Sequence, residues 1–446
     1  MSTKTITALL VAVLSASSLV GCGGGSSQSA APTPQYNLSQ TLSDGAQRTT
    51  IAFSGLAMVT GNLESQSFFP PGKVADYTGF QYLRDNDPDG MGHNTSFLTR
   101  VANNVIFMLN DSQFSRLKTL ALAQSEQLDL YGMKRYPLMK AFRRLLEGDP
   151  PAGSTGLNLN AVKKASRELY QLDGQISFDR ALLYAQVLGS MDADQKAYLD
   201  AMKGKGWKSW PDITDDQVRT RMAGLPQGAG VAVMTYAGDL FSWYAGSIDA
   251  DVYFCPERHG TYYGSFYIKD APAIGHEGYS IDEQLTATAG SALCDAGKGY
   301  VTQSQADAIS SLTETQRSNL YEGATSIVQV RTEIATLLRS LLTSTAAADS
   351  VKARVLALSA TYGDLDGANN HAYANTFAQG LPDADSRPEV EARGAPEEHH
   401  VRDLLRRRAV RLQRLLDVLS VLKRRGWCLR VHIKHRPPVL RALSLS

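Results

Sequence analysis

A chain of 446 residues, 43% hydrophobic and 20% charged, has room for two or three domains and the composition of an ordinary globular protein. Its net charge of +1 conceals an uneven split: from Leu381 onward 13 Arg and 2 Lys face 8 acidic residues, so the tail carries +7 and the body −6. A mildly acidic body gives no reason to expect nucleic-acid binding, and no nucleic-acid partner is expected.

At the N-terminus Lys4 precedes a mostly apolar run, Ile6 to Leu14, followed by Leu19-Val20-Gly21-Cys22. Residues 1–21 read as a secretory signal peptide, too short for a stable membrane span. The LVGC ending resembles the bacterial lipobox, whose cysteine is acylated after cleavage before it; the alternative is an ordinary signal peptide with an unmodified cysteine. The resemblance implies lipidation at Cys22 and a membrane partner through that anchor, each buried CH₂ contributing about 0.8 kcal/mol. It also implies a location in the cell envelope. Gly23, rather than Asp, after the cysteine favours the outer membrane of a Gram-negative host, facing periplasm or cell surface. Residues 22–45, rich in Gly, Ser, Ala and Pro, read as a flexible tether.

Residues 46–230 are expected to form a helical repeat domain. It contains the stretch Asp85-Asn86-Asp87-Pro88-Asp89-Gly90. An EF-hand-type loop takes oxygen ligands at its first, third and fifth positions, Gly at the sixth and a bidentate carboxylate at the twelfth. Asp85, Asp87, Asp89 and Gly90 supply the first half of such a calcium cage, but the twelfth position is Ser96. The competing reading is an acid-rich turn that opens a helix, with Gly accepting positive φ.

An internal repeat supports the turn. Residues 170–195 and 362–381 align on two Leu-Asp-Gly triplets, at 172–174 and 365–367, with Ala181 on Ala374 and Gln186 on Gln379. A first copy is placed at 82–113. In each copy Asp-Gly is expected to turn the chain into a helix, and Phe97, Val101, Val105, Met108 and Leu109 recur at helical spacing, as do Phe178, Leu182 and Ala185. Four helix starts share one form: Asn110 with Gln113, Asp192 with Gln195, Thr214 with Gln217, and Thr313 with Gln316. A small polar N-cap with Gln three residues on is a capping box.

Leu312-Thr313-Glu314-Thr315-Gln316 resembles the LTxxQ motif of periplasmic Spy/CpxP-type proteins. That resemblance implies a small-protein chaperone or an envelope-stress or metal-sensing factor. It rests on short patches, and ordinary capping boxes in a helical protein account for them equally well.

Residues 231–300 read differently. Between Tyr236 and Tyr279 fall 11 of the chain's 36 aromatic residues, and 251–255 and 260–269 are rich in strand formers. This predicts an aromatic β/loop segment inserted between helices, stapled by a disulfide between Cys255 and Cys294, since export brings an oxidising compartment. Candidate ligand-binding residues are Tyr253, Glu257, Arg258, His259, Tyr262, Tyr263, Tyr267, His276 and Glu277. Aromatic side chains of this kind line clefts for small ligands or glycans, and the His and Glu residues are types that ligate zinc or copper. Packing in a plain β-core is the other reading. No G-x-S-x-G, H-E-x-x-H or P-loop pattern occurs, so no catalytic residue is assigned.

Residues 301–380 continue the helical repeats. Over 381–446 the composition breaks in mid-repeat, which suggests a shifted reading frame; the alternative is a basic amphipathic helix with Leu405, Leu412, Leu415, Leu416, Leu419 and Leu422 on one side. The expectation as a whole is a mainly α fold of repeated helical hairpins with a small disulfide-stapled aromatic β/loop insertion. Its expected role is a lipid-anchored envelope binding protein whose partner is an envelope protein or a small molecule. The alternatives are a metal-binding or metal-sensing lipoprotein, with calcium at the acidic loop or zinc or copper at the His/Glu residues, and an enzyme with its site in the central segment.

Overall fold

In the computed structural model the described residues are 44, 47, 48, 51, 77, 83, 87–89, 95–246 except 155, and 303–380. They are mainly helical, and no strand occurs among them. The order is α1 (Thr95–Met108), α2 (Asp111–Ala123), α3 (Ser125–Leu146), α4 (Leu159–Gly189) and α5 (Ala193–Met202), then a 3₁₀ turn (Trp207–Ser209), α6 (Asp215–Met222) and α7 (Gln227–Ala245). After the central segment come α8 (Gln303–Ser310), α9 (Leu312–Arg317), a π-helical turn (Ser318–Glu322), α10 (Ile327–Ser340) and α11 (Ala348–Gly380). No helix among the described residues is long and apolar enough to cross a membrane.

The helix starts follow the capping chemistry in three of the four expected places. Asn110 Oδ1 accepts from the Gln113 amide at 2.9 Å while the Asn110 amide donates to Gln113 Oε1 at 3.0 Å. Asp192 and Gln195 repeat this at 2.8 and 3.2 Å. Gln217 Oε1 accepts from the Thr214 amide at 2.8 Å. The fourth place differs: Thr313 lies inside α9 and its hydroxyl bonds the Ser310 carbonyl. A further box, Ser326 with Gln329, opens α10. At the other end of α3, Gly148 takes φ 67° and the Asp149 and Gly148 amides close back on Arg144 and Leu145, an ending that only a residue tolerant of positive φ allows cheaply.

The two longest helices, α4 and α11, form the central pair, flanked by α3 and α10; α7 packs on α1 and α2. Both Leu-Asp-Gly triplets lie within these helices, so the expected turn into a helix is corrected: Asp173-Gly174 and Asp366-Gly367 are mid-helical. The glycines are there because the helices cross closely. A Cβ built on Gly174 would stand 2.3 Å from Ser359 Oγ, and one on Gly367 2.9 Å from Ser166 Cβ. A Cβ on Gly363 would meet backbone, 2.7 Å from the Ser166 carbonyl oxygen. The same sequence offset relates Ser166 to Ser359 and Gly174 to Gly367, so the crossing is reciprocal.

Residues 231–245 are also corrected. They belong to α7, whose Tyr236, Leu240, Phe241 and Trp243 are buried in the helical core rather than in a β/loop segment. Gly and apolar residues all round that helix blur the helical period. Trp210 closes this end, its ring 5.3 Å from both Phe97 and Phe241 and its indole N–H donating to the Met202 carbonyl at 2.9 Å.

Candidate functional site

The acidic turn is described at Asp87 and Asp89. Asp87 Oδ1 accepts from the Asp89 amide at 2.9 Å, and its carboxylate accepts from the Trp207 amide at 3.0 Å. Asp89 Oδ2 accepts from the Lys208 amide at 2.7 Å, and Lys208 Nζ donates to the Asp89 carbonyl at 3.2 Å. The two carboxylates therefore clasp the start of the 3₁₀ turn, where amide N–H groups have no helical partner. Gly206 permits this, since a Cβ there would stand 2.2 Å from Asp89 Oδ2. Burial pushes the Asp87 carboxyl up to about 6, against the lowering effect of the Asp89 and Trp207 amides and with the Asp89 charge adding to the rise. Asp85 lies outside the described residues. Among the described residues no group of three or more His, Cys, Asp or Glu is placed to hold a metal.

A second constellation, unread in the sequence, lies in the core between α2, α4 and α7. Arg180 is fully buried, with its guanidinium 4.5 Å from the centre of the Tyr236 ring, one nitrogen 3.6 Å from Asp239 Oδ2, and Nε donating to Gln124 Oε1 at 3.3 Å. Tyr236 donates to the same Gln124 oxygen at 2.7 Å and Tyr184 to Asp239 Oδ2 at 3.2 Å. Burial raises the Tyr184 phenol well above its usual range, reinforced by the Asp239 charge. For Arg180 burial pulls downward, but the surrounding phenols and carboxylates outweigh it and keep the guanidinium charged. The polar seam continues to Asp173, which accepts from Ser177 at 3.2 Å, and to Asp366, which accepts from Tyr170 at 2.5 Å. Buried polar groups bonded to one another in this way fix the register of packed helices. No sequence spacing links Arg180 to Asp239, because the pair joins two helices separated by a long stretch of chain.

Glutamines make a third set. The capping residues Gln113 and Gln195 pair face to face, each amide donating to the other's oxygen, at 3.1 and 2.7 Å. Gln316, from the LTETQ stretch, is buried and donates to Gln47 Oε1 at 2.6 Å and to the Gln47 carbonyl at 3.0 Å, while Tyr373 donates to its oxygen. Its role is thus to bind the N-terminal part of the chain to α9 and α11.

On the outside, α3 carries an apolar ridge. Leu130, Met133 and Tyr136 are 40, 69 and 39% exposed, and Pro137 and Ala141 are exposed beside them. The opposite face of α3 buries Tyr131, Leu138, Met139 and Phe142, so the helix is anchored and the ridge is held in place. Exposed ridges of large apolar residues mark interaction surfaces when they are contiguous.

Cys22, Cys255 and Cys294, and the central candidates Tyr253, Glu257, Arg258, His259, Tyr262, Tyr263, Tyr267, His276 and Glu277, lie outside the described residues. No protein-family model, curated protein or solved structure matches this chain.

Proposed function

We propose that this chain is a lipid-anchored envelope protein that acts by binding rather than by turnover. The ridge Leu130–Met133–Pro137–Ala141 of α3 carries this reading, because it offers a partner a preformed apolar surface on a helix that is fixed from behind. The lipobox-like Leu19–Cys22 and the tether to residue 45 support attachment to the outer membrane. α4 and α11 are two copies of one helical unit on this reading, which the reciprocal Ser/Gly crossing favours. A disulfide between Cys255 and Cys294 staples the central segment.

The test uses the mature chain with Cys22→Ser and a denatured model protein diluted from guanidinium. A binding protein of Spy/CpxP-like character suppresses the client's aggregation at near-equal molar ratio, without metal or nucleotide. Met133→Glu removes most of that suppression while the circular dichroism spectrum stays unchanged. Aggregation unaffected by the native chain would sink the chaperone reading.

A second reading, calcium binding at Asp85, Asp87 and Asp89, is favoured by the convergence of Asp87 and Asp89 at one corner. A calcium ion there would have to draw oxygens away from the amides of Trp207 and Lys208. A calcium-specific rise in Tm after chelation, lost in Asp87→Ala, would establish it; linkage sets the accompanying gain in stability at about 2.7 kcal/mol for a hundredfold excess over Kd.

A further inference from the structure

The partner that the α3 ridge fits best is chosen by its charges. Along the exposed face of α3, Glu126 and Asp129 stand at the N-terminal end and Lys140 at the C-terminal end, with Leu130, Met133 and Pro137 between them. None of these three charged residues has an ion-pair partner among the described residues, whereas the flanking Lys134 is taken up by Glu168 at 2.8 Å. Arg144, farther along, bonds the Asp149 carbonyl at 2.8 Å. Lys140 is held over its own Tyr136 ring at 5.9 Å.

An acidic end, an apolar middle and a basic end make a surface complementary to itself. Turning a second α3 antiparallel about an axis near Met133 sets Glu126 of one copy opposite Lys140 of the other, twice, and lays Leu130 of each along Pro137 of the other. We propose that α3 is a two-fold self-association surface and that its partner is a second copy of this chain. The inference rests on the reading of the ridge as a binding surface and names its occupant. Isologous contacts are the common route to symmetric dimers because one patch serves both sides.

Two other occupants fit less well. An anionic lipid surface favours helices with Lys and Arg along the whole polar face, and the first turns of α3 are acidic instead. An unfolded client uses only the apolar middle of the ridge and gains nothing from the ordered separation of acid and base. Pro137 adds to the ridge: it has no N–H, so the Met133 carbonyl lacks its intrahelical donor at the place where the axis would fall. A 22-residue helix is about 33 Å long and covers less than the roughly 1,200–2,000 Å² of a standard interface, so the dimer is concentration-dependent.

Sedimentation velocity of the complete mature chain with Cys22→Ser decides the matter. The expected result is a reversible monomer–dimer equilibrium. Glu126→Lys and Lys140→Glu should each weaken it by about tenfold or more and reverse its salt dependence, since salt screens attraction in the native pair and repulsion in each variant, and the swap carrying both should restore it. Met133→Glu should leave only monomer, with helicity retained by circular dichroism. A native chain that stays monomeric at all concentrations overturns the proposal, as does a dimer indifferent to both charge reversals. A monomer that still holds the denatured client through α3 would end this inference and leave the binding reading standing. A dimer with the expected charge pattern but no hold on client would end the chaperone reading and uphold this inference.

Discussion

Gly174 lies so close beneath Ser359 that a Cβ added to it would sit 2.3 Å from the serine Oγ and 2.9 Å from its Cβ. Ser166 meets Gly367 in the same way from the other helix. Small residues on both sides let α4 and α11 approach until backbone meets side chain.

The first prediction follows from that approach. In an exposed helix interior, Gly→Ala stabilises by about 0.5–1 kcal/mol through backbone entropy. Gly132 of α3 has nothing within 4 Å of a built Cβ, so Gly132→Ala should show that gain. Gly363→Ala should do the opposite, because its Cβ would meet the Ser166 carbonyl oxygen and Arg167 Cα at 2.7 and 2.8 Å, atoms that move only if the helix moves. A loss of about 1–3 kcal/mol in urea denaturation is expected there. Gly174→Ala should fall between, since Ser359 can be trimmed, and Gly174→Ala with Ser359→Gly should recover most of the loss.

The second concerns the paired amides. Gln113 and Gln195 each close a capping box and also bond one another, so removing one strips the other of a buried partner. Gln113→Ala and Gln195→Ala should together cost less than the sum of the single changes, with a coupling of about 1 kcal/mol in a double-mutant cycle. Gln113→Glu should be worse than the alanine: a carboxylate donates nothing to Gln195 or to the Ser190 carbonyl, and its charge would be buried.

These residues show what the sequence made legible. Capping depends on atoms three residues apart, and the starts of α2, α5 and α6 could be read without a structure. Where tertiary contact decides, local reading failed. Asp-Gly has the chemistry of a turn, yet Gly174 and Gly367 serve a helix crossing set by residues nearly two hundred positions away. Gln316 matches the capping pattern more fully than Gln113 does, yet it bonds Gln47 across the fold. The α3 ridge was open to reading from its period alone. What concealed it was that Leu130, Met133 and Tyr136 look like core until the opposite face is seen to be buried.

The third prediction tests the buried seam. Asp239→Ala takes one carboxylate away from the buried Arg180 and removes the acceptor of Tyr184, a change expected to cost about 3–5 kcal/mol. Replacing Arg180 and Asp239 together with Met and Leu should cost much less, because neither charge is then stranded. Equal losses in the single and double variants would show that packing, not pairing, sets the stability there.

The last prediction is a dependence on pH. The Asp87 carboxyl titrates at about 6 in the fold against 3.8 in the unfolded chain, first because it is buried. Amides of Asp89 and Trp207 and the Lys208 charge pull the other way, and the Asp89 carboxylate adds to the rise. A raised acid pKa means that the folded chain holds a proton which the unfolded chain has already released. The associated stability is fully present below 3.8 and is lost as pH rises through 6. Asp87→Asn keeps an oxygen for the Asp89 and Trp207 amides but cannot titrate. The Tm of the native chain minus that of Asp87→Asn should therefore fall steadily from about pH 4 to about pH 7 and then level off. A difference that rises over that interval would mean that the N–H donors outweigh burial, and that the ionised carboxylate is the form the clasp was built to hold.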